Sequence, residues 1–399
     1  MRAEKQHIVI KGCGAISPLG HNTGTIAFGY SAGKPAFKTI VHQGAPTPIA
    51  ALPESAEQLL LQLQKSNPNY KHLDRSVLMA VYAAKQAVVQ AGWLQQDNVD
   101  HELGVNIGSS RGATGLLEQH YTSFQQDRLS SGASPTTTLG NLSSWVAHAV
   151  NAGGAQISHS ITCSTALMAV ANATAWLKAG MAKRFLAGGT EAPLTDFTIA
   201  QMKSVGIYSK LHDHLYPCQP YAVAKQNTFV LGEGAAVFAL ELLPDTTLEP
   251  GTTVVASIGL GFEAIKSKTG ISADGLNFQQ SMQQALSQLP ENDRKIDLVI
   301  THTPGTIAGD AAELNAIVSV FKDQLPALTT NKFLFGHTLG ASGALSLHHA
   351  MHILASQSYT APAYQTNIPV SQKTQKYKQI LVNAAGFGGN AASIILKQL

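Results

Sequence analysis

"SITCSTALMAVANATAWLKAGMAKRFLAGGTEA", residues 160–192, is the stretch that decides the fold. Residues 163–179 are rich in alanine and apolar on nearly every helical face, which is typical of a helix buried on all sides. Gly180 follows at the position that glycine favours just after a helix. The segment "RFLAGGTEA" then predicts a strand and a turn. The stretch therefore predicts a helix enclosed between other layers, followed by a buried strand.

A second helix and strand of the same kind occur near the carboxyl end. "GASGALSLHHAMHIL", residues 340–354, predicts a helix, and "LVNAAGFGG", residues 381–389, predicts a strand that again ends on glycines. At 399 residues the chain exceeds the roughly 250–300 residues that one core supports. We therefore expect two similar halves, residues 1–250 and 251–399, in an α/β fold with mainly parallel sheets.

The composition limits the classes of function. Hydrophobic residues make up 44% of the chain and charged residues only 13%, which predicts extensive burial, including contacts between subunits. The net charge is +3 without a long basic tract, so we expect no nucleic-acid partner. The apolar run at residues 8–10 is too short for a signal peptide, and residues 166–177 fall short of the ~20 apolar residues of a membrane span. We expect a cytoplasmic oligomer without membrane contact.

Cofactor and metal motifs are incomplete. "GCGAISPLG", residues 12–20, has Ser17 where a dinucleotide-binding loop has its third glycine. The cysteines lie far apart in sequence, which indicates neither a disulfide framework nor a zinc site. His348 and His352 have the i,i+4 spacing of a metal site, but no carboxylate accompanies them, so we expect a partly exposed helix face. We therefore expect no cofactor and no metal.

Three residues form a coherent set for thiol chemistry. Cys163 begins the buried helix, where unpaired N–H groups and the helix dipole stabilise a thiolate. His302 ends the apolar strand "DLVIT", at an edge where α/β proteins collect ligands, and His337 lies in a turn rich in glycine and threonine. One such histidine is usually structural. Two of them with a cysteine at a helix start indicate a nucleophile with charge-stabilising groups on separate loops.

These residues lie within a series of motifs that covers nearly the whole chain. In order, the motifs are "GCGAISPLG", "IGSSRG", "TCSTA", "FVLGEGAA", "HTPGT" with "GDAAE", "KFLFGHTLGASGA" and "GFGG". With this order and spacing the chain resembles the β-ketoacyl-acyl carrier protein synthases, the condensing enzymes of fatty-acid and polyketide assembly. The resemblance implies the thiolase fold, in which two βαβαβαβ halves form a five-layer αβαβα arrangement.

The resemblance also implies a role for each matching residue. Cys163 would take the acyl chain from the phosphopantetheine of a carrier protein, while His302 and His337 would promote malonyl decarboxylation and stabilise the enolate. Lys332 and Glu313 would form a buried, mutually satisfied pair that supports the histidines. The remaining implied positions are the gating phenylalanine whose N–H completes the oxyanion hole with that of Cys163 (Phe387), the pantetheine-binding threonine (Thr306), and a substrate contact at Gly388. Arg111, which departs from the family pattern, is a further candidate for substrate contact.

The implied activity is decarboxylative condensation of an acyl chain on Cys163 with malonyl-acyl carrier protein. The implied partners are the carrier protein and, in a homodimer or heterodimer, a second ketosynthase-like or chain-length-factor subunit. Carrier proteins are acidic, so Lys203 and Lys210 are candidates for docking, the alternative being solvated surface lysines. A non-catalytic chain-length factor is the main alternative function, although such subunits lack the cysteine.

The sequence departs from the family pattern in three places. Pro304 replaces the first of two pantetheine-binding threonines, and residues 219–222, Gln-Pro-Tyr-Ala, replace a tetrapeptide like Arg-Pro-Phe-Asp. Arg111 stands where housekeeping synthases often have an apolar pocket residue, with a paired interface arginine as the alternative role. We therefore expect a specialised synthase of an aryl-polyene, flexirubin-like or other polyketide pathway.

Overall fold

The structure, a computed structural model, describes residues 5–93, 98–264, 270–369 and 376–399. The strands are β1 (Gln6–Ile16), β2 (Lys38–His42), β3 (Ala45–Ile49), β4 (Leu103–Gly108), β5 (Gln156–Ile157), β6 (Arg184–Glu191), β7 (Gly234–Pro244), β8 (Thr253–Phe262), β9 (Leu298–Ile300), β10 (Ala327–Thr329), β11 (Gln379–Gly386) and β12 (Asn390–Gln398). The helices are α1 (Thr23–Ala32), α2 (Glu54–Ser66), α3 (Arg75–Gln90), α4 (Thr114–Gln125), α5 (Ala133–Thr137), α6 (Asn141–Val150), α7 (Thr165–Lys178), α8 (Asp196–Ser204), α9 (Leu276–Ser287), α10 (Ile307–Phe321), α11 (Lys332–Phe335) and α12 (Ser342–Ser356).

The strands form two sets with the same order. One set runs β5-β4-β6-β7-β1 and the other runs β10-β9-β11-β12-β8, and the sets meet where β1 pairs with β8 at Ile8–Val255 and Val9–Val254. The expectation of mainly parallel sheets was wrong for the centre of the sheet, where β1 and β8 are antiparallel to both of their neighbours, and so are β7 and β12. The sequence did not predict β7 and β12, because both are apolar on each face and lack the alternation that marks a half-exposed strand. The shared order agrees with the predicted duplication.

Each strand set forms one layer, and the two layers are called the first and the second sheet although β1 and β8 join them. A layer of buried helices lies between the two sheets. One apolar cluster contains α7 and α12 together with the inward faces of both sheets, through residues such as Leu167, Phe185 and Leu345. Separate clusters join α3 and α6 to the outer face of the first sheet, and α9 and α10 to the outer face of the second. The expected five-layer αβαβα arrangement is therefore confirmed.

Small residues bring the central helices close to the sheets. A Cβ on Gly189 of β6 would lie 2.7 Å from the Ala166 Cβ of α7 and 3.0 Å from the Gly340 carbonyl oxygen. Such distances are below van der Waals contact, so a larger residue at position 189 would push the layers apart. The predicted buried helix is α7, whose core-facing residues are fully enclosed.

The prediction of a partly exposed helix face was wrong for His348 and His349, although His352 is partly exposed. His348 and His349 are each only 2% exposed, and the His349 ring stacks on Tyr30 of α1 with a centroid separation of 4.2 Å. The sequence suggested an exposed face because histidine is polar, whereas α1 covers this part of α12. None of the helices in the described ranges has the length and hydropathy that crossing a bilayer requires.

Candidate active site

A cavity of about 450 Å³ opens where the two halves meet. Its wall includes Cys163 from the first half and His302, His337 and Phe387 from the second. The structure thus brings together the residues that the sequence placed in one thiol site. The rest of the wall is mostly apolar and includes Thr306, Pro304, Met202, Ile207, Phe229, Phe278 and Leu339.

Cys163 lies on a tight elbow just before α7. Thr162 has φ 53°, a left-handed conformation that is costly for a β-branched residue. The Thr165 backbone N–H and hydroxyl both donate to the Thr162 carbonyl, at 3.3 and 2.6 Å, and hold the elbow closed. A Cβ on Gly386 would lie 2.9 Å from the Cys163 backbone nitrogen. Gly386, the last residue of β11, therefore packs directly against the elbow, and only glycine fits at position 386.

The thiol is protonated in the resting site. Burial, with a further contribution from the Glu191 carboxylate, raises the pKa of Cys163 to about 12, against opposing effects of Lys332 and Arg111. The expectation of a stabilised thiolate was therefore wrong, although Cys163 does precede a helix. The dipole of a helix acts within its first turn, and here the loss of solvation and a buried carboxylate outweigh it.

His337 is neutral and its tautomer is defined by one contact. The Leu339 backbone N–H donates to His337 Nδ1 at 2.9 Å, so the proton of the neutral ring is on Nε2. Burial, together with His302 and Lys332, lowers the pKa of His337 well below its ordinary value. The ring therefore offers an N–H donor without carrying a charge.

His302 stands edge-on to His337, with the ring centroids 5.0 Å apart. Burial and the positive charge of Lys332 lower the pKa of His302 to about 3. Its Nδ1 is buried and has no hydrogen-bond partner in the described part of the protein. A buried nitrogen without a partner is energetically costly.

Glu313 and Lys332 are both buried but do not contact each other as the sequence led us to expect. Glu313 accepts from the backbone N–H groups of His302 (3.0 Å) and Thr303 (2.9 Å), and from Asn383 Nδ2 (3.0 Å). Lys332 Nζ donates to Asn331 Oδ1 at 3.1 Å and to Ser346 Oγ at 3.3 Å. Glu313 thus holds the His302 loop, while burial, partly offset by Glu313, lowers the pKa of Lys332 to about 8.

Two backbone N–H groups beside the thiol are free to donate. Among the described residues, neither the Cys163 nor the Phe387 N–H donates to another protein group. The Phe387 carbonyl, which belongs to the following peptide, accepts from Asn390 Nδ2 at 3.1 Å, and the Phe387 side chain is 40% exposed at the cavity. The arrangement agrees with a two-donor oxyanion hole.

The substrate-binding predictions divide into two groups. Thr306 and Pro304 line the cavity, but the Thr306 hydroxyl also caps α10 by accepting from the Gly309 N–H at 3.2 Å. Arg111 and Gly388 are not part of the wall. Arg111 Nη1 donates instead to Gln201 Oε1 at 2.6 Å, so it is held by α8 rather than by an acidic partner.

The altered tetrapeptide at residues 219–222 packs against a buried acid. The Tyr221 N–H donates to Asp310 Oδ2 at 2.9 Å, and the N–H groups of Gly305 and Thr306 donate to Asp310 Oδ1 at 3.1 Å. Burial raises the pKa of Asp310 to about 7. Asp310 therefore ties the tetrapeptide to the loop that forms the cavity wall.

The two lysines proposed for docking differ in their surroundings. Lys203 Nζ donates to Thr47 Oγ1 at 2.7 Å and lies 3.1 Å from His42 Nδ1, so it braces the β2–β3 hairpin. Lys210 is exposed. Of the two, only Lys210 has a side chain on open surface.

Sequence reasoning missed Glu191, the last residue of β6. It is 0% exposed, and burial raises its pKa while hydrogen bonds from Ser110 and Ser109 oppose the shift. An acid at the end of the otherwise apolar "RFLAGGTEA" was the available signal. The described residues include no cluster of three or more side chains able to hold a metal ion.

Taken together, a cysteine on a strained elbow, two neutral histidines and free backbone donors define a class of protein, the acyltransferases that work through a cysteine thioester. Residues 5–246 match the family description "Beta-ketoacyl synthase, N-terminal domain", and residues 252–363 match "Beta-ketoacyl synthase, C-terminal domain". The chain belongs to the β-ketoacyl synthase family, whose reaction forms a carbon–carbon bond.

Two similar proteins align with this chain over nearly its full length. The chain is 27% identical to 3-oxoacyl-[acyl-carrier-protein] synthase 2 of Coxiella burnetii, with 99% of each chain covered. It is 28% identical to the synthase of the same name from Rhizobium meliloti, covering 98% of this chain and 99% of that one.

Solved structures confirm the thiolase fold predicted from the sequence. The ishigamide ketosynthase/chain length factor has a TM-score of 0.82 at 22% identity, with 100% of each chain covered. A ketosynthase bound to its type II polyketide acyl-carrier protein has a TM-score of 0.83 at 19% identity, covering 99% of this chain and 100% of that one.

Proposed function

We propose that the protein transfers an acyl chain to Cys163 and condenses it with a malonyl group carried by an acyl carrier protein, with loss of CO₂. The observation that carries the proposal is the meeting of Cys163, His302 and His337 at one cavity beside two free backbone N–H groups. No metal or cofactor is needed beyond the pantetheine of the carrier protein.

In the first step the Cys163 sulfur attacks the thioester carbonyl of the carrier-bound primer. The oxyanion accepts from the N–H groups of Cys163 and Phe387. When the intermediate collapses, the carbon–sulfur bond to pantetheine breaks and the leaving sulfur takes the proton that Cys163 gives up. The exchange conserves protons, which suits a thiol that is protonated at rest.

In the second step the malonyl carboxylate leaves as CO₂, and the electron pair of the broken bond forms an enolate. His337 Nε2–H and the His302 ring donate to the enolate oxygen, and both can do so as neutral groups. The enolate carbon attacks the acyl carbonyl, the bond to the Cys163 sulfur breaks, and the released thiolate takes up one proton per turnover.

We also propose an acyl carrier protein and a second ketosynthase-like subunit as partners. Apolar side chains at the cavity mouth, Ile307 (47% exposed) and Phe387, offer a surface for the pantetheine arm. On α4, Leu117, Tyr121 and Phe124 are 56–61% exposed at helical spacing. A stripe of this size on one helix face indicates a contact with another subunit, homomeric or mixed.

The departures from the family pattern support a specialised primer. Pro304 stands in the cavity wall in place of a hydroxyl, and Arg111 reaches α8 close enough to Cys163 for its charge to act on the thiol. We therefore propose that the protein works in an aryl-polyene, flexirubin-like or other polyketide pathway rather than in routine lipid synthesis. Efficient extension of saturated primers of all lengths, with no preference for aryl or polyene primers, would contradict this placement.

A second candidate function is a chain-length factor that shapes the tunnel of a catalytic partner. The replaced pantetheine threonine favours it, and a ketosynthase/chain length factor is among the similar structures. The two functions separate on one measurement. Acylation of Cys163 by acyl-carrier thioester, read by mass spectrometry, supports catalysis, whereas an inert Cys163 in the folded protein supports the scaffold role.

A further inference from the structure

Glu191 is a buried carboxylate that receives hydrogen bonds from two separate segments, residues 109–111 and Gly340. Ser109 Oγ and the Arg111 N–H donate to Oε1 at 2.8 and 3.1 Å. The Ser110 N–H and hydroxyl donate to Oε2 at 2.8 and 2.6 Å, and the Gly340 N–H donates to Oε2 at 2.8 Å. Every contact is a donor to the carboxylate, which is the pattern that the ionised form requires.

These bonds join the two halves of the molecule next to His337. Ser109, Ser110 and Arg111 follow β4 in the first half, whereas Gly340 belongs to the second half. Leu339, which precedes Gly340, has φ 42°, a left-handed conformation that is strained for a non-glycine residue. The Leu339 N–H is the donor to His337 Nδ1. The Glu191 carboxylate therefore anchors the peptide beside the residue that orients His337.

The packing around Gly340 leaves it no alternative position. A Cβ on Gly340 would lie 2.5 Å from the Ser110 backbone nitrogen and 2.7 Å from Glu191 Oε2. The Gly340 carbonyl in turn lies 3.0 Å from the place of a Cβ on Gly189. Since backbone contacts backbone on both sides, the hydrogen bond to Glu191 defines where the Leu339–Gly340 peptide lies.

We propose that Glu191 is a positioning residue for the condensation step: it holds the strained Leu339–Gly340 peptide against the first half and thereby aims the Nε2–H of His337 at the enolate. The role rests on the proposed function, because it assigns Glu191 to one of its two steps. The carboxylate touches neither substrate nor the reacting atoms, and it acts through His337.

Glu191→Gln is the principal test. The amide keeps the shape but replaces one acceptor oxygen with an NH₂ group, which faces N–H donors and cannot accept from them. We expect kcat for condensation to fall at least ~10-fold, with the KM for malonyl-carrier protein changing less than ~3-fold, because misorientation acts on the transition state. Ser110→Ala, which removes only one donor to Glu191, should lower kcat in the same direction by a smaller factor.

The rate of Cys163 alkylation is a second readout, and it should not fall when kcat for condensation falls. Removing the negative charge of Glu191 favours the Cys163 thiolate, so iodoacetamide should alkylate Cys163 in the Glu191→Gln variant at least as fast as in the parent. General damage to the site would lower both rates. Asp74→Asn is the matched control, since Asp74 is also buried and accepts from Ser76 and Leu116 but lies in the outer helix layer. Its condensation rate should stay within ~2-fold of the parent.

A double-mutant cycle tests the route through His337. If Glu191 acts through that ring, adding Glu191→Gln to His337→Ala should lower kcat by less than ~2-fold further, far less than it lowers the parent rate. Additive losses, or a Glu191→Gln variant with parental kcat and an unchanged melting temperature, would overturn the proposal. A parent protein that fails to condense would instead contradict the proposed function, so the two failures are distinguishable.

Discussion

The position of Cys163 could be inferred from its neighbours in sequence, but its protonation state could not. The absence of charge around it and its place before an apolar helix made it the nucleophile candidate, and the structure places it on the cavity wall with both histidines. Its protonation state depends on Glu191, Lys332 and Arg111, which are brought near only by folding. The sequence could therefore predict where the thiol lies but not the pKa that burial imposes on it.

The raised pKa of Cys163 has a direct consequence for reactivity. With a pKa of about 12, the thiolate fraction grows about tenfold per pH unit through the neutral and mildly alkaline range. We expect the rate of iodoacetamide alkylation, followed by mass spectrometry of the Cys163 peptide, to rise steadily from pH 7 to pH ~10. A rate that levels off below pH ~8 would show the poised thiolate that the helix start alone suggested.

The two histidines should be indispensable for condensation. Replacing His302 or His337 with alanine removes a preorganised donor, and the loss of one such donor costs roughly 10²–10³-fold in kcat. His212→Ala, at a half-buried loop position away from the cavity, serves as the control with parental kcat. Steady-state condensation with malonyl-carrier protein provides the measurement. A variant within a few-fold of the parent would remove that histidine from the mechanism.

At the scale of elements, the sequence predicted that two helices are buried, but it did not predict which elements pack over them. The composition of α7 and α12 indicated enclosure, since each is apolar around most of its circumference. The histidines of α12 gave no sign that α1, more than 300 residues away in sequence, would cover them. Likewise, the sequence did not predict β7 and β12, because strands buried on both faces lack the alternation of apolar and polar residues.

Gly386, the last residue of β11, contacts the elbow that carries Cys163 and so helps to position the thiol. In Gly386→Ala the new methyl group would meet the Thr162 side chain and the Cys163 backbone nitrogen. We expect acylation of Cys163 by a carrier-bound primer to slow at least ~10-fold, because the elbow must shift. Gly140→Ala is the control, since a Cβ there meets nothing within 4 Å. Equal acylation rates in both variants would show that the elbow does not depend on this contact.

The contact between α12 and α1 should make the protein sensitive to acid. Burial, with a contribution from His352, lowers the pKa of His348 to about 4, and burial lowers that of His349 well below its ordinary value. The unfolded chain binds these protons near pH 6.5 and the folded chain does not, so the free energy of unfolding falls as the pH drops from about 6.5 towards 4.

Urea unfolding at pH 7.5, 5.5 and 4.5 measures this effect. His348 alone accounts for a loss on the order of 3 kcal/mol across its window, at about 1.4 kcal/mol per pKa unit. His348→Leu should flatten part of the slope, since leucine takes up no proton. A slope unchanged by that substitution, or stability that rises on acidification, would contradict the assignment.

At the scale of the whole molecule, duplication explains why the site lies where it does. The two halves present equivalent helix starts to a shared centre, with Cys163 before α7 and His337 just before α12. The sequence indicated the halves through their repeated helix–strand pairs. It could not show the bonds between them, such as Glu191 to Gly340, because those link residues 149 positions apart.

The central claim is that Cys163 carries the acyl chain that is then condensed, and the mass of its peptide tests this most directly. The protein is incubated with a carrier-bound primer, the Cys163 peptide is weighed, and malonyl-carrier protein is then added. Cys163→Ala is compared with Cys13→Ala, which removes a buried thiol that does not line the cavity. We predict an acyl adduct on Cys163 in the parent and in Cys13→Ala, its disappearance on adding malonyl-carrier protein, and a carrier-bound product two carbons longer than the primer. An unmodified Cys163, or product formed by Cys163→Ala, would contradict the account.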